Sequence, residues 1–243
     1  MMTESHSDPA GYETLETFSK AASINQWLYD KIKVFTSGQI LEIGSGIGNI
    51  STHLLRENTT VSLSDLRPEY CALLEEKFRD QEQLQKVYEL DLASKDFEIK
   101  YAGILRSFDT VLALNVVEHI ENDTLAIQNA KSLLRANGKL VVLVPAGQWL
   151  FNSLDIELGH FKRYSKIGIR NLMLSAGLKV DYCRYFNAAA ILGWWLSGNI
   201  LHEKVIPPAK LNVYNRLVPV FRIADLFITP FVGVSIISVG VKI

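Results

Sequence analysis

The sequence predicts an α/β fold: a doubly wound, mostly parallel sheet with helices on both faces. Three observations lead there. Short apolar runs alternate with helix-patterned segments from residue 39 to residue 144. The first run breaks into a glycine-punctuated turn, Gly44-Ser45-Gly46-Ile47-Gly48, before the next helical stretch. Asp65, Asp91 and Asn115 follow the next runs, at the strand ends where open sheets of this kind bind ligands.

Bulk properties fit that class. A length of 243 residues suits one domain with its own core. Hydrophobic content of 48% and charged content of 21% indicate a globular chain. A net charge of −1, with no long basic run, argues against a nucleic-acid partner. Cys71 and Cys183 lie far apart, without metal or redox spacing. They read as reduced structural thiols, which suits a cytoplasmic protein with no metal site. Residues 1–10 lack the apolar core of a signal peptide. The longest uncharged apolar stretch, 226–241, is interrupted by Pro230 and Gly233. It falls short of the roughly 18 apolar residues of a spanning helix.

Taken in order, residues 11–35 have helical patterning, with Ile24, Trp27, Leu28, Lys31 and Ile32 on one face, and Gly38 closes the segment. Residues 39–43 form the first strand, and a helix follows the glycine loop to residue 57. The second strand is 60–64, and Pro68 opens a helix to residue 80 where its missing N–H costs nothing. The third strand is 86–90, and 94–107 is a polar connector. Residues 108–114 are almost continuously apolar, as in a strand covered on both faces. Asn122-Asp123 starts a helix and Asn137-Gly138 is its expected left-handed end. Strand 139–144 stops at Pro145, Ser165 caps a helix to residue 175, and strand 178–186 follows Gly177. Residues 187–232 form a long, aromatic-rich connection expected to hold two or three helices, and 233–243 the final strand.

The glycine spacing discriminates between cofactors. The dinucleotide fingerprint G-x-G-x-x-G fails because Asn49 stands where its third glycine belongs. A nicotinamide reductase would also use a Tyr-x-x-x-Lys pair, whereas Gly168 stands four residues after Tyr164. The pattern Glu42-x-Gly44-x-Gly46-x-Gly48 instead resembles motif I of the class I S-adenosylmethionine-dependent methyltransferases. Later segments match that family in order over most of residues 12–186 and the last strand. The loop Gly159-His160-x-x-Arg163-Tyr164 resembles that of a bacterial methyltransferase type 11/12-like subgroup.

The resemblance implies a Rossmann-like, seven-stranded sheet of order 3-2-1-4-5-7-6 with the last strand antiparallel. It implies a single domain over 1–243, with a helical cover at 11–36, a core at 37–186, a helical insertion or cover at 187–232 and a final strand at 233–243. S-adenosylmethionine is the implied cofactor. Glu42 and the loop of Gly44, Gly46 and Gly48 would hold its amino-acid end, and Asn115 and Val116 would flank the methionine moiety. Asp65, with Leu66, would bind the ribose, since one carboxylate has acceptors for both hydroxyls of a vicinal diol. Asp91 and Leu92 would hold the adenine. Tyr12, Asn25 and Trp27 are candidates from the N-terminal cover, with a plain core role for Trp27 equally open.

Methyl transfer mainly requires placing a nucleophile in line with the methyl group. A base is needed only when the nucleophile carries a proton. His119 and His160 follow the fourth and fifth strands and are candidate bases; capping or packing is the plain alternative for His119. Arg163 offers a bidentate fork for a carboxylate or phosphate, or else an ion pair with Asp155 or Glu157. Tyr164 completes the candidate catalytic set. An aromatic cover at 187–232 implies a small apolar or amphipathic acceptor: a lipid, an aromatic or a polyketide-like molecule. The same segment suits a homodimer interface or peripheral membrane contact through Trp194 and Trp195. Oxygen, nitrogen and carbon acceptors all remain open, as does a cofactor-binding partner module with weak or no catalysis.

Overall fold

The computed structural model describes residues 9–58 and 60–243. The chain opens with two helices, α1 (Pro9–Ser19) and α2 (Ala22–Ile32), and a 3-10 turn at Lys33–Phe35. The helical patterning at 11–35 is therefore divided between two helices. Phe18 O accepts the Ala21 N–H at 3.0 Å and the Asn25 side-chain amide at 2.9 Å. The carbonyl that would continue α1 is thus diverted, and Ala21 leaves helical geometry with ψ of 61°.

The strands are β1 (Ile40–Ile43), β2 (Val61–Asp65), β3 (Leu84–Glu89), β4 (Phe108–Leu114), β5 (Leu134–Pro145), β6 (Leu178–Phe186) and β7 (Ser235–Lys242). They form a seven-stranded sheet in the order β3-β2-β1-β4-β5-β7-β6. The β1–β5 pairings are parallel, and β7 runs antiparallel to both neighbours. Fold class, strand order and the reversed last strand agree with the expectation from the sequence.

Between the strands lie α3 (Ser51–Glu57), α4 (Pro68–Lys77), α5 (Phe97–Lys100), α6 (Asp123–Leu133), α7 (Ser153–Glu157), α8 (Lys166–Ser175), α9 (Ala190–Trp195) and α10 (Pro208–Ile228). The two sheet faces carry separate cores. Leu41, Val111, Ala113, Leu140 and Val142 belong to one; Ile40, Leu112, Leu114, Val141 and Leu143 belong to the other. Alternate residues of the same strands fill opposite sides, as a sheet covered on both faces requires.

Asn137-Gly138 does not cap α6. The helix ends at Leu133, and fully buried Leu134 already pairs with Phe108. Asn137, at φ 63°, absorbs a register shift before Thr110 pairs with Lys139. Burial of Leu133 and Leu134 in the same core draws the chain into the sheet before the asparagine is reached. The connector at 94–107 holds α5, anchored by buried Phe97, and a 3-10 turn at Ala102–Ile104. In the long connection, α9 runs into a π turn at Leu196–Ile200, and α10 packs on α2. Asn215 Oδ1 accepts the Ile24 N–H at 3.1 Å, and Arg222 pairs with Asp30 at 2.9 Å. Trp27 is fully buried edge-on to Phe186, with ring centres 4.8 Å apart, so it is a core anchor. Both cysteines are free. No helix among the described residues is long and apolar enough to cross a membrane.

Candidate active site

The carboxyl ends of β1, β2 and β4 open onto a cleft of about 1180 Å³. Pockets for one ligand typically span roughly 300–1,000 Å³, so there is room for a cofactor and an acceptor together. At Gly44, φ is +69° and a Cβ would lie 2.5 Å from Val116 Cγ2. At Gly46, φ is +55° and a Cβ would meet Leu15 of α1 at 3.0 Å. Both positions therefore need glycine for backbone shape and for close approach.

The loop is tied to the acid at the end of β2. Gly46 N–H donates to Asp65 Oδ2 at 2.9 Å, and Arg67 N–H donates to Oδ1 at 3.0 Å. Each carboxylate oxygen keeps acceptor capacity beyond those bonds. Burial pushes the Asp65 carboxyl up, against the pull of these N–H donors. Glu42 is 3% exposed and accepts the Ser51 hydroxyl. Burial raises its carboxyl to about 7. Asp91 donates its N–H to the Tyr101 hydroxyl at 2.9 Å and accepts the Ala93 N–H at 2.7 Å. Asn115 holds a left-handed conformation, φ 55°, where β4 leaves the sheet.

Glu42, Gly44, Gly46, Asp65, Leu66, Asp91, Leu92, Asn115 and Val116 all line the cleft. Gly48 lies behind the loop, where a Cβ would meet the Phe78 ring at 2.6 Å. From the N-terminal cover, Leu15 and Asn25 line the cleft. Asn49 Nδ2 donates to Leu15 O at 3.0 Å, which pins α1 over the glycine loop. Tyr12 stacks on Tyr70 with ring centres 6.5 Å apart.

The opposite wall is organised by a residue that the sequence reading treated only as an ion-pair partner. Asp155, in α7, is 0% exposed and carries a capping box with Asn152. It accepts Arg163 Nε at 2.8 and 3.0 Å. It also contacts His160 Nδ1 at 2.8 Å and accepts Trp194 Nε1 at 3.3 Å. Burial alone would raise the Asp155 carboxyl; His160 and Arg163 outweigh it and hold it below the usual carboxylate range. Arg163 also donates to Ala146 O at 3.1 Å. Its guanidinium lies 4.6 Å from the Trp194 ring centre. The pair with Asp155 is therefore a buried one, and the Arg163 fork is engaged inside the protein.

His119, His160 and Arg163 line the cleft. Tyr164 does not: its ring is buried, it bridges Ala146, and its hydroxyl donates to Asp123 at 3.0 Å. Neighbouring residues of extended chain point to opposite sides, so Arg163 and Tyr164 face different ways. Burial, with Asp123 alongside, pushes the Tyr164 hydroxyl far up. Glu118 is a further cleft residue, one that the sequence pattern does not single out. It follows β4 in a 3-10 turn, is 1% exposed, and neither carboxylate oxygen has a hydrogen-bond partner among the described residues. Burial raises its carboxyl to about 8. The only sequence signal for it was its place beside His119 after an apolar strand.

Sheet order, glycine loop and paired acids together define a protein of the class I methyltransferase fold. Comparison with known proteins agrees. Residues 41–140 match the family model described as "Methyltransferase domain". Ubiquinone biosynthesis O-methyltransferases of Xanthomonas euvesicatoria pv. vesicatoria and Xanthomonas axonopodis pv. citri are 30% and 29% identical over 102 residues. Those matches cover 42% of this chain and 41% of each relative. Among solved structures, one chain comes from the complex of the Haloferax volcanii Trm112 methyltransferase activator with a proposed methyltransferase. It aligns with TM-score 0.62 at 15% identity, over 98% of this chain and 99% of that one. The citrinin polyketide synthase CMeT domain gives 0.55 at 14%, over 91% and 52%. The [4+2]-cyclase SpnF gives 0.58 at 12%, over 91% and 80%. Likeness at such identity shows the fold. Residues 41–140 thus match a methyltransferase domain within a class I fold, and the cofactor that such a domain implies is S-adenosylmethionine.

Proposed function

We propose that the protein transfers a methyl group from S-adenosylmethionine to a hydroxyl of a small apolar or amphipathic acceptor. The observation that carries this reading is the glycine loop bonded to Asp65 inside a cleft with room for two ligands. The choice of oxygen as acceptor atom draws on the O-methyltransferase relatives. Bound there, S-adenosylmethionine supplies an electrophilic methyl group on a sulfonium that leaves as a neutral thioether. Asp65 would accept from both ribose hydroxyls, Glu42 would face the ammonium, and Asp91 would accept from the adenine amine. Leu15 and Asn25 would close the site to water from above. Phe186, Trp194 and Leu211 line the far side and would hold an apolar acceptor. His160, fixed through Nδ1 by Asp155, would present Nε2 to an acceptor proton.

Calorimetry with S-adenosylhomocysteine tests the donor side. Micromolar or tighter binding is expected, weakened at least about tenfold in Asp65→Ala, because two hydrogen bonds to a charged group are lost. Preferential binding of a nicotinamide dinucleotide would sink the assignment. A methyl-transfer screen over phenols, lipids and amines tests the acceptor side. Intact cofactor binding without turnover on any of them would favour a binding module.

A further inference from the structure

We infer that Glu118, His119 and His160 form a divalent transition-metal site on the acceptor side of the cleft. One ligand atom from each lies within 4.8 Å of those of the other two. The His119 and His160 rings meet edge to face with centres 4.7 Å apart. Glu118 is the independent sign of a ligand. A carboxylate buried without any donor is costly, and such groups are normally paired or bound to a cation. The backbone also joins the two halves of the site, since Phe161 N–H donates to Glu118 O at 2.9 Å.

The surroundings have the form that metal-binding histidines need. Asp155 engages His160 Nδ1 at 2.8 Å, which orients the ring and leaves Nε2 as the ligand atom; with an ion bound, Nε2 no longer serves as the base, and the ion takes over activation of the acceptor. Arg163 in turn neutralises Asp155, so that carboxylate supports the histidine without competing for the ion. Two imidazoles and one carboxylate suit zinc-class ions and leave coordination positions open. All three residues line the cleft. An open position would take water or the acceptor's hydroxyl oxygen and lower that oxygen's proton affinity. The inference rests on the methyl-transfer reading for its role, but not for the site itself.

The test uses the full chain, stripped with chelator and titrated with Zn²⁺ by calorimetry and with Co²⁺ by visible absorption. One equivalent is expected to bind. Glu118→Gln and His160→Ala should each weaken binding at least about tenfold, with His202→Ala unchanged. If altering buried Glu118 disrupts folding, His119→Ala at the exposed position replaces it. Melting temperature and S-adenosylhomocysteine affinity are measured on the same proteins. Absence of stoichiometric binding, or equal affinity in the ligand variants and the parent, overturns the site. Metal binding that persists without any S-adenosylhomocysteine binding upholds the site and removes the methyl-transfer reading.

Discussion

Glu42 is a residue whose chemistry depends on pH. It is buried under the glycine loop with its carboxyl raised from 4.5 to about 7. A raised folded-state value means that the folded chain binds the proton more tightly than the unfolded one. Its contribution to stability is therefore full below pH 4.5 and fades as pH climbs through about 7. Glu42→Gln should gain on the parent by about 3 kcal/mol between pH 4.5 and pH 8 in the cofactor-free protein. Urea unfolding of both proteins at the two pH values checks this; a constant difference would refute it. Glu42 and Asp65 were legible in the sequence because they stand beside apolar runs that could only be strands. Glu118 and Asp155 were not, because their burial comes from packing between segments distant along the chain. Tyr164 looked like a site residue from its neighbours, and the alternation of extended chain turned it toward the core.

At the scale of elements, strands were easier to read than helix ends. The runs at 108–114 and 178–186 match β4 and β6 residue for residue: β4 is almost continuously apolar because both its faces are covered, whereas β6, a half-exposed edge strand, is bounded by Gly177 before it. Helix ends depend on competing partners, as Asn25 at the break after α1 and Leu134 at the end of α6 illustrate. In α10 the pattern was hardest to interpret. Leu211 and Val218 face inward, while Val213, Leu217, Val220 and Phe227 form an exposed stripe on the opposite side. A helix apolar on both sides seeks a second apolar medium. Within the proposed function, that stripe would rest on a bilayer and collect a lipophilic acceptor. The full chain should therefore co-sediment with anionic vesicles, and Leu217→Glu with Phe227→Glu should abolish this at unchanged melting temperature. Equal sedimentation of parent and variant would exclude the helix as a membrane contact.

Across the whole molecule, the local rhythm of strand and helix was legible up to Pro145. The placement of the last strand was not: it came from resemblance, since nothing local specifies a position between β5 and β6. The structure shows how much rests on it. β7 forms a ladder with β5 from Lys139↔Val241 to Pro145↔Ser235 and another with β6. A chain stopped before residue 235 should lose cooperative urea unfolding and precipitate, because β6 then has no partner in the sheet. A soluble truncated chain with a sharp transition would contradict this. The slot has a further consequence in the order of synthesis. While residues 235–242 are still inside the ribosome, β5 and β6 have emerged with unpaired edges facing the same gap. Such edges invite pairing with other nascent chains, so the growing protein is most vulnerable to aggregation just before the strand that fills the gap is delivered.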